Sequence, residues 1–271
     1  MTRMPDPRFL TGQLVCPTAA VAGISRNGWT ALEGFNPSEE EARAIMVRER
    51  FDVLPIETDG SVDAYFHTLR WNDYSKVGRA DITGVDLLPL DTQVRDVVRC
   101  LADQSRLFFF LSDASEVVGL ISVVNLNRRP VKVWLFSLIS EIEVRLGEFL
   151  SWHCNDDEIY ALTLGRAKHP KYDEVKRRYQ TDRDNGLELP VVEYLYFSDL
   201  VGLVIEKGLY GQLDYSRTRF ERSLGSLAEL RDEVAHPARS IVREPEAVSK
   251  LWRRVQRIED ALGKLRSLTT A

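Results

Sequence analysis

The spacing of apolar residues changes partway along the chain. Up to about residue 130 they come in short, dense runs: FDVLPI (51–56), VDAYF (62–66), RLFFFL (106–111) and VGLIS (118–122). Runs of this length, bounded by turn-forming residues such as Asp59-Gly60, predict short buried strands. Beyond residue 131 the apolar positions recur at steps of three and four. Trp134, Leu138, Ile142 and Leu146 predict a helix over 131–150, with Glu141 and Arg145 paired on another face. Phe220, Leu224 and Leu227 predict a second over 216–235. Val248, Leu251, Val255, Ile258, Leu262 and Leu265 predict a third over 245–267. ELPVVEYLYFSDLVGLVIEK (188–207) is apolar nearly all round and predicts a central helix with Pro190 in its first turn.

The strand-rich half repeats itself. Residues 36–70, moved along by 55, fall on 91–125 without a gap. Asn36 lands on Asp91, both suited to cap a helix. Ala42, Ile45 and Met46 land on Val97, Cys100 and Leu101, and FDVLPI lands on RLFFFL. Asp59-Gly60 lands on Ala114-Ser115, and VDAYF lands on VGLIS. Each copy reads helix, strand, turn, strand, and one copy alone cannot cover its sheet, so the two should pack together. The expected architecture is an α+β pair over 10–130 (copies about 10–75 and 76–130) followed by an all-α bundle over 131–271.

Charge and composition narrow the function classes. The 271 residues carry a net charge of −5, with −4 in residues 1–130 and −1 in the remainder. No global field draws in nucleic acid, so any such contact needs a local patch. The basic segment 165–186, with Arg166, Lys168, Lys171, Lys176, Arg177, Arg178 and Arg183, reads as a solvated helix and loop. Its alternative is a phosphate-contact strip with Tyr172 and Tyr179 free to stack on bases. Cys16, Cys100 and Cys154 are odd in number and far apart, which fits a reduced, cytoplasmic setting. MTRMPDPRFLTG lacks the apolar core of a secretory signal, and VWLFSLI is too short to span a bilayer, so no membrane partner is expected. His153, near Cys154, Asp156 and Asp157, reads as a helix-end loop rather than a metal site. Arg128-Arg129-Pro130 reads as a solvated basic turn.

LRDEVAHP (230–237) carries the candidate chemistry of the second half. Arg231 falls on the apolar face that runs Phe220, Leu224, Leu227, and its charge cannot be shed. It therefore meets a carboxylate such as Glu143, or opens into a cleft and meets a phosphate. Pro237 disfavours helical dihedrals at His236, so the helix should end there and free the imidazole to swing back toward Arg231. An imidazole suits proton transfer near neutral pH, and a fixed guanidinium suits a phosphate oxygen. The other reading is structural, with His236 capping carbonyls at the helix end.

The repeated units FDVLPIETDGSVDAYFH and LFFFLSDASEVVGLISVVNL resemble the tandem CBS pair, over roughly residues 10–130. Gly119, Leu120, Ile121, Ser122, Val123, Val124 and Asn125 match that family's nucleotide signature. The resemblance implies one regulatory adenine nucleotide (AMP, ADP or ATP) at Gly119, Ser122 and Asn125. Asn125 stands where the family has Asp, and the first copy has Ala64, His67 and Arg70 at the matching positions, which leaves that site degenerate or altered. A purely structural pair, with Ser122 only capping the next helix, is the alternative.

Arg231, Asp232 and His236, at the end of a long helix, resemble the Arg-polar-His motif of HEPN-superfamily bundles, over roughly 131–271. The family's polar residue is most often Asn rather than Asp. The resemblance implies a metal-independent endoribonuclease that needs no catalytic cofactor and leaves 2′,3′-cyclic phosphate ends. In it His236 moves protons, Arg231 stabilises the phosphorane and Asp232 orients one of them. It also implies an RNA substrate and a homodimer whose two motifs share a groove. Together the two resemblances describe a nucleotide-regulated HEPN ribonuclease, with ligand movement near Asn125 tilting the first bundle helix. The alternatives are a non-catalytic nucleotide-sensing scaffold or RNA-binding dimer, and a defence- or toxin-like protein held by an antitoxin or other regulatory partner.

Overall fold

The computed structural model describes residues 16–166, 169–187, 189–236 and 238–269. Lys168, Pro237 and the start of the first expected copy, 10–15, lie outside the described residues. The chain divides into two units, Met1–Trp134 with Pro237–Arg253, and Leu135–His236 with Arg254–Ala271.

The first unit holds two four-stranded sheets of the same design. In one, β2 (Leu32–Glu33) lies parallel to β3 (Val53–Thr58), which forms a hairpin with β4 (Ser61–Thr68). In the other, β6 (Leu87–Pro89) lies parallel to β7 (Phe108–Asp113), which forms a hairpin with β8 (Glu116–Ser122). Between the parallel strands run α2 (Glu39–Glu49) and α3 (Val94–Asp103). The 55-residue repeat holds down to the backbone. The β3–β4 bulge between Ile56 and Glu57 has its counterpart between Leu111 and Ser112. The left-handed residues Arg50 and Asp59 recur as Ser105 and Ala114. Such a residue ends each helix or opens each hairpin turn, where a reversal needs positive φ.

The fourth strand of each sheet comes from the segment before the other copy. β1 (Ile24–Ser25), ahead of β2, pairs with β8, and β5 (Val77–Asp81), ahead of β6, pairs with β4. Each copy thus completes its neighbour's sheet, which ties the pair into one unit. A glycine is required at the first of these seams. A Cβ on Gly119 would lie 2.6 Å from the Ile24 carbonyl oxygen on β1, and the obstacle is backbone. Gly119→Ala should therefore displace β1 and destabilise the first unit by about 1–3 kcal/mol, measured by chemical denaturation.

Arg128 and Arg129 are exposed, as a solvated basic turn requires, and the Arg128 guanidinium also donates to the carbonyls of Ala22 (3.3 Å) and Gly23 at the end of α1 (Ala19–Ala22). Asn127, beside it, ties in a distant segment: its Oδ1 accepts from the backbone N–H groups of Ile241 and Val242, and its amide donates to the Val242 carbonyl at 2.7 Å.

The remaining elements are helical: α4 (Arg129–His153), α5 (Asp156–Leu162), α6 (Lys171–Asp184), α7 (Phe197–Glu206), α8 (Arg217–Ala235) and α9 (Glu246–Thr269). The three stripes read from the sequence are buried as expected, with Ile142, Leu146, Phe220, Leu224, Leu227, Val255 and Ile258 in the core. The central apolar helix starts later than Pro190. Val191–Tyr194 form a 3-10 turn, Leu195 and Tyr196 are extended, and Asp199 caps α7 by accepting from the Tyr196 N–H at 3.1 Å. A capping carboxylate three residues in outcompetes the proline as the start signal.

Candidate functional site

A cavity of about 340 Å³ opens in the first unit where the two copies meet. The first copy lends Trp29, Glu49, Arg50, Phe51, Asp52 and Pro55; the second lends Phe108, Leu120, Ser122 and Asn125. Its walls combine aromatic and aliphatic side chains with several polar groups, the usual make-up of a small-molecule site. Of the three residues the sequence assigned to a nucleotide, Ser122 and Asn125 line the cavity, whereas Gly119 stands behind its wall against β1.

Ser122 and Asn125 form a closed box. Asn125 Oδ1 accepts from the Ser122 N–H at 2.7 Å and from its hydroxyl at 3.0 Å. The Asn125 carbonyl is thus spent on its own turn, and the side chain's remaining polar group is an amide donor. A second box of the same kind escaped the sequence reading. Asp86 Oδ2 accepts from the Thr83 N–H at 2.9 Å and hydroxyl at 2.6 Å. The signal was there, a Thr-x-x-Asp directly before a strand, but it lies outside the ungapped match. Positions 64, 67 and 70 fall on β4 and just beyond it, as their counterparts 119, 122 and 125 fall on β8 and just beyond it. His67 there is structural, with Nδ1 3.0 Å from the Thr68 carbonyl oxygen and its ring against Tyr65.

Moving the cavity residues by 55 positions explains why the pair is asymmetric. Val53 and Pro55 become Phe108 and Phe110, and the counterpart of Leu120 is Tyr65. Tyr65 packs edge-on against Phe108 at 5.4 Å and lies 5.2 Å from Phe110, so rings occupy the transposed position. Phe51 becomes Arg106, which bonds Asp86 at 2.6 Å. Burial pushes the Asp86 carboxyl up, but hydrogen bonds from Thr83 and Arg106 outweigh it and hold the group below its ordinary range.

In the helical unit, α8 begins at Ser216, whose hydroxyl accepts from the Arg219 N–H at 3.3 Å, and ends at Ala235. His236 follows in extended conformation and is exposed, as the proline after it demands. Arg231 is one turn earlier, with its side chain 35% exposed. Its Nε lies 3.7 Å from a Glu143 carboxylate oxygen, and Nη1 lies 3.5 Å from exposed Asp232. Nε is buried and has no hydrogen-bond partner among the described residues. Burial pushes the Glu143 carboxyl above its ordinary value, with the Arg231 charge opposing. The carboxylate pairing named as one alternative for Arg231 is thus present, through a long and poorly bonded contact.

Of the two tyrosines of the basic segment, Tyr179 is closed to bases. Tyr179 is buried, stacked on Tyr160 at 5.3 Å and edge-on to Tyr194, and the Tyr172 hydroxyl is bonded to Asp199. Tyr179 is consumed in packing α6 onto its own unit, whereas half-buried Tyr172 lines a second cavity with Arg166 and Asp199. His153 closes the end of α4, with Nδ1 on the Phe149 carbonyl at 2.8 Å and Nε2 on Gln212. Among the described residues no group of three His, Cys, Asp or Glu is placed to hold a metal, and no helix is long and apolar enough to cross a membrane.

No protein-family model matches the chain, and no curated protein does. Among solved structures, a hemolysin-like protein containing a CBS domain from Oenococcus oeni PSU is similar at 14% identity. The match covers 42% of this chain and 90% of that one, with a TM-score of 0.32. An uncharacterized conserved protein from Pyrococcus horikoshii is similar at 17% identity over 41% of this chain and 89% of that one, with a TM-score of 0.31. At these values neither likeness carries an argument, and the functional reading rests on the chain's own geometry.

Proposed function

We propose that the first unit is a CBS-type sensor that holds one adenine nucleotide in the cavity between its two copies. The observation that supports this most is the convergence of the Ser122–Asn125 box with Phe51, Asp52, Val53 and Pro55 around a cavity of about 340 Å³. Trp29, Phe51 and Phe108 provide faces for a purine ring, and the transposed position is filled by Tyr65, Phe108 and Phe110. Titration calorimetry with AMP, ADP and ATP should give one site per chain. Trp29→Ala should weaken binding by about tenfold or more, since stacking on one aromatic side chain contributes about 1–3 kcal/mol. Two sites per chain, or an unaffected Trp29→Ala, would count against this reading.

For the helical unit the reading is a HEPN-type, metal-independent endoribonuclease acting as a homodimer, with Arg231, Asp232 and His236 as its motif. The observation in its favour is the exposure of His236 at the free end of α8, with Arg231 and Asp232 on the preceding turn. The competing reading is a non-catalytic bundle in which Arg231 serves Glu143, and the 3.7 Å contact favours it. α4 begins at Arg129, shortly after Asn125, so the nucleotide box and the first helix are neighbours in the chain. That adjacency is the basis for reading the sensor as the ribonuclease's regulator.

A further inference from the structure

The cavity has an unusual charge for a nucleotide site. Its lining holds two carboxylates, Glu49 and Asp52, against one guanidinium, Arg50, and no lysine. Glu49 is paired with Arg48 at 2.7 Å, outside the lining set. Arg26, next to the lining residues in sequence, is committed to Glu57 at 2.9 Å. With Glu49 paired to Arg48, the lining charges left to meet a ligand are Arg50 and Asp52, so a polyphosphate would bring three or four negative charges to a single arginine beside a carboxylate.

Asp52 keeps one carboxylate oxygen without a donor among the described residues. Its Oδ1 accepts from the Asn72 N–H at 2.8 Å and the Thr68 hydroxyl at 2.9 Å, and among the described residues no hydrogen bond reaches Oδ2. Burial pushes its carboxyl above the ordinary value despite those two bonds. Asn125, across the cavity, cannot serve as the acceptor, because its carbonyl is closed onto Ser122. A ligand's donor therefore finds its acceptor at Asp52 rather than in the Ser122–Asn125 box.

Resting on the adenine-nucleotide reading, we propose that the cavity selects an adenosine ligand carrying at most one phosphate. Asp52 is its specificity-determining residue: it accepts a hydrogen bond from a neutral ligand donor and disfavours further phosphates. The donor is either a ribose hydroxyl or the exocyclic amine, and the two are separable by experiment.

The test is calorimetry on the full chain with adenosine, AMP and ATP in EDTA, for the wild type and Asp52→Asn. Asparagine keeps an acceptor for Thr68 and Asn72, so the fold is retained. In the wild type, AMP should bind at least about tenfold tighter than ATP. Asp52→Asn should weaken adenosine by about tenfold and narrow the gap between AMP and ATP, since a hydrogen bond to a charged acceptor is lost and a repelling charge removed. 2′,3′-Dideoxyadenosine, lacking the two secondary ribose hydroxyls, and purine riboside, lacking the amine, then locate the donor. The analogue missing it should bind wild type and Asp52→Asn equally. If Asp52→Asn weakens both analogues as much as adenosine, or leaves adenosine unchanged, the assignment of Asp52 is wrong. ATP binding as tightly as AMP would overturn the charge selection. Failure of all three ligands to bind defeats the adenine reading itself, an outcome distinct from either.

Discussion

Removing both carboxylates that face Arg254, with Glu229→Ala and Glu233→Ala together, should cost about 3–5 kcal/mol of stability. Arg254 is on α9 and its side chain is only 4% exposed. Nη2 reaches Glu229 at 2.9 Å and Nη1 reaches Glu233 at 2.8 Å, one turn apart on α8, while Nε has no partner among the described residues. A guanidinium cannot escape by losing its proton, so without the two acceptors it stays charged and dry. Alanine is the best helix former, so α8 itself loses nothing in propensity. Arg254→Met provides the contrast. It keeps much of the volume, removes the buried charge, and leaves Glu229, 67% exposed, in reach of water. It should therefore cost well under the double variant. Urea denaturation followed by far-UV circular dichroism checks both. Equal losses for the two variants would mean that Arg254 acts through packing alone.

Both the legible and the hidden parts of this protein have physical causes. The 55-residue repeat could be read because buried strands and capped helices each leave a dense local pattern, and the match reached the bulges at Ile56 and Leu111. The strand β5 could not. VGRAD is short and polar, and its burial alternates against β4, a partner that sequence order does not suggest. With β5 unseen, the Thr83–Asp86 box had no strand before it and looked like loop. Tyr179 was offered as a stacking platform because its neighbours are charged, but exposure follows from the opposing helix, and Tyr160 and Tyr194 cover it. Glu143 enters the sequence reading as one example of a carboxylate for Arg231; what the sequence does not give is the separation of 3.7 Å, too long for a hydrogen bond.

That loose pair decides the last prediction. Under the ribonuclease reading, purified protein should cleave single-stranded RNA in EDTA and leave 2′,3′-cyclic phosphate ends, once the sensor's ligand state is permissive. His236→Ala should then reduce the rate by about 10²–10⁴-fold, the usual contribution of a positioned proton-transfer group. Arg231 has to leave Glu143 to meet a phosphate, and the geometry makes that exchange easy. The contact is long, Nε lacks any hydrogen bond, and a phosphate offers the guanidinium two parallel bonds. Glu143→Gln should therefore preserve or raise the cleavage rate by removing a competing anion, while Arg231→Ala should lower it as His236→Ala does. The structural reading orders the same variants differently. If Arg231 serves only to neutralise Glu143, then Arg231→Ala strands a desolvated carboxyl. Burial pushes that carboxyl up and the Arg231 charge opposes it, so Arg231→Ala should cost stability that is regained as pH falls, and no RNA product should appear from any variant. Cleavage that survives His236→Ala would assign the activity to a contaminant or to other residues. Cleavage lost in Glu143→Gln would make Glu143 a working part of the site rather than a holder of Arg231.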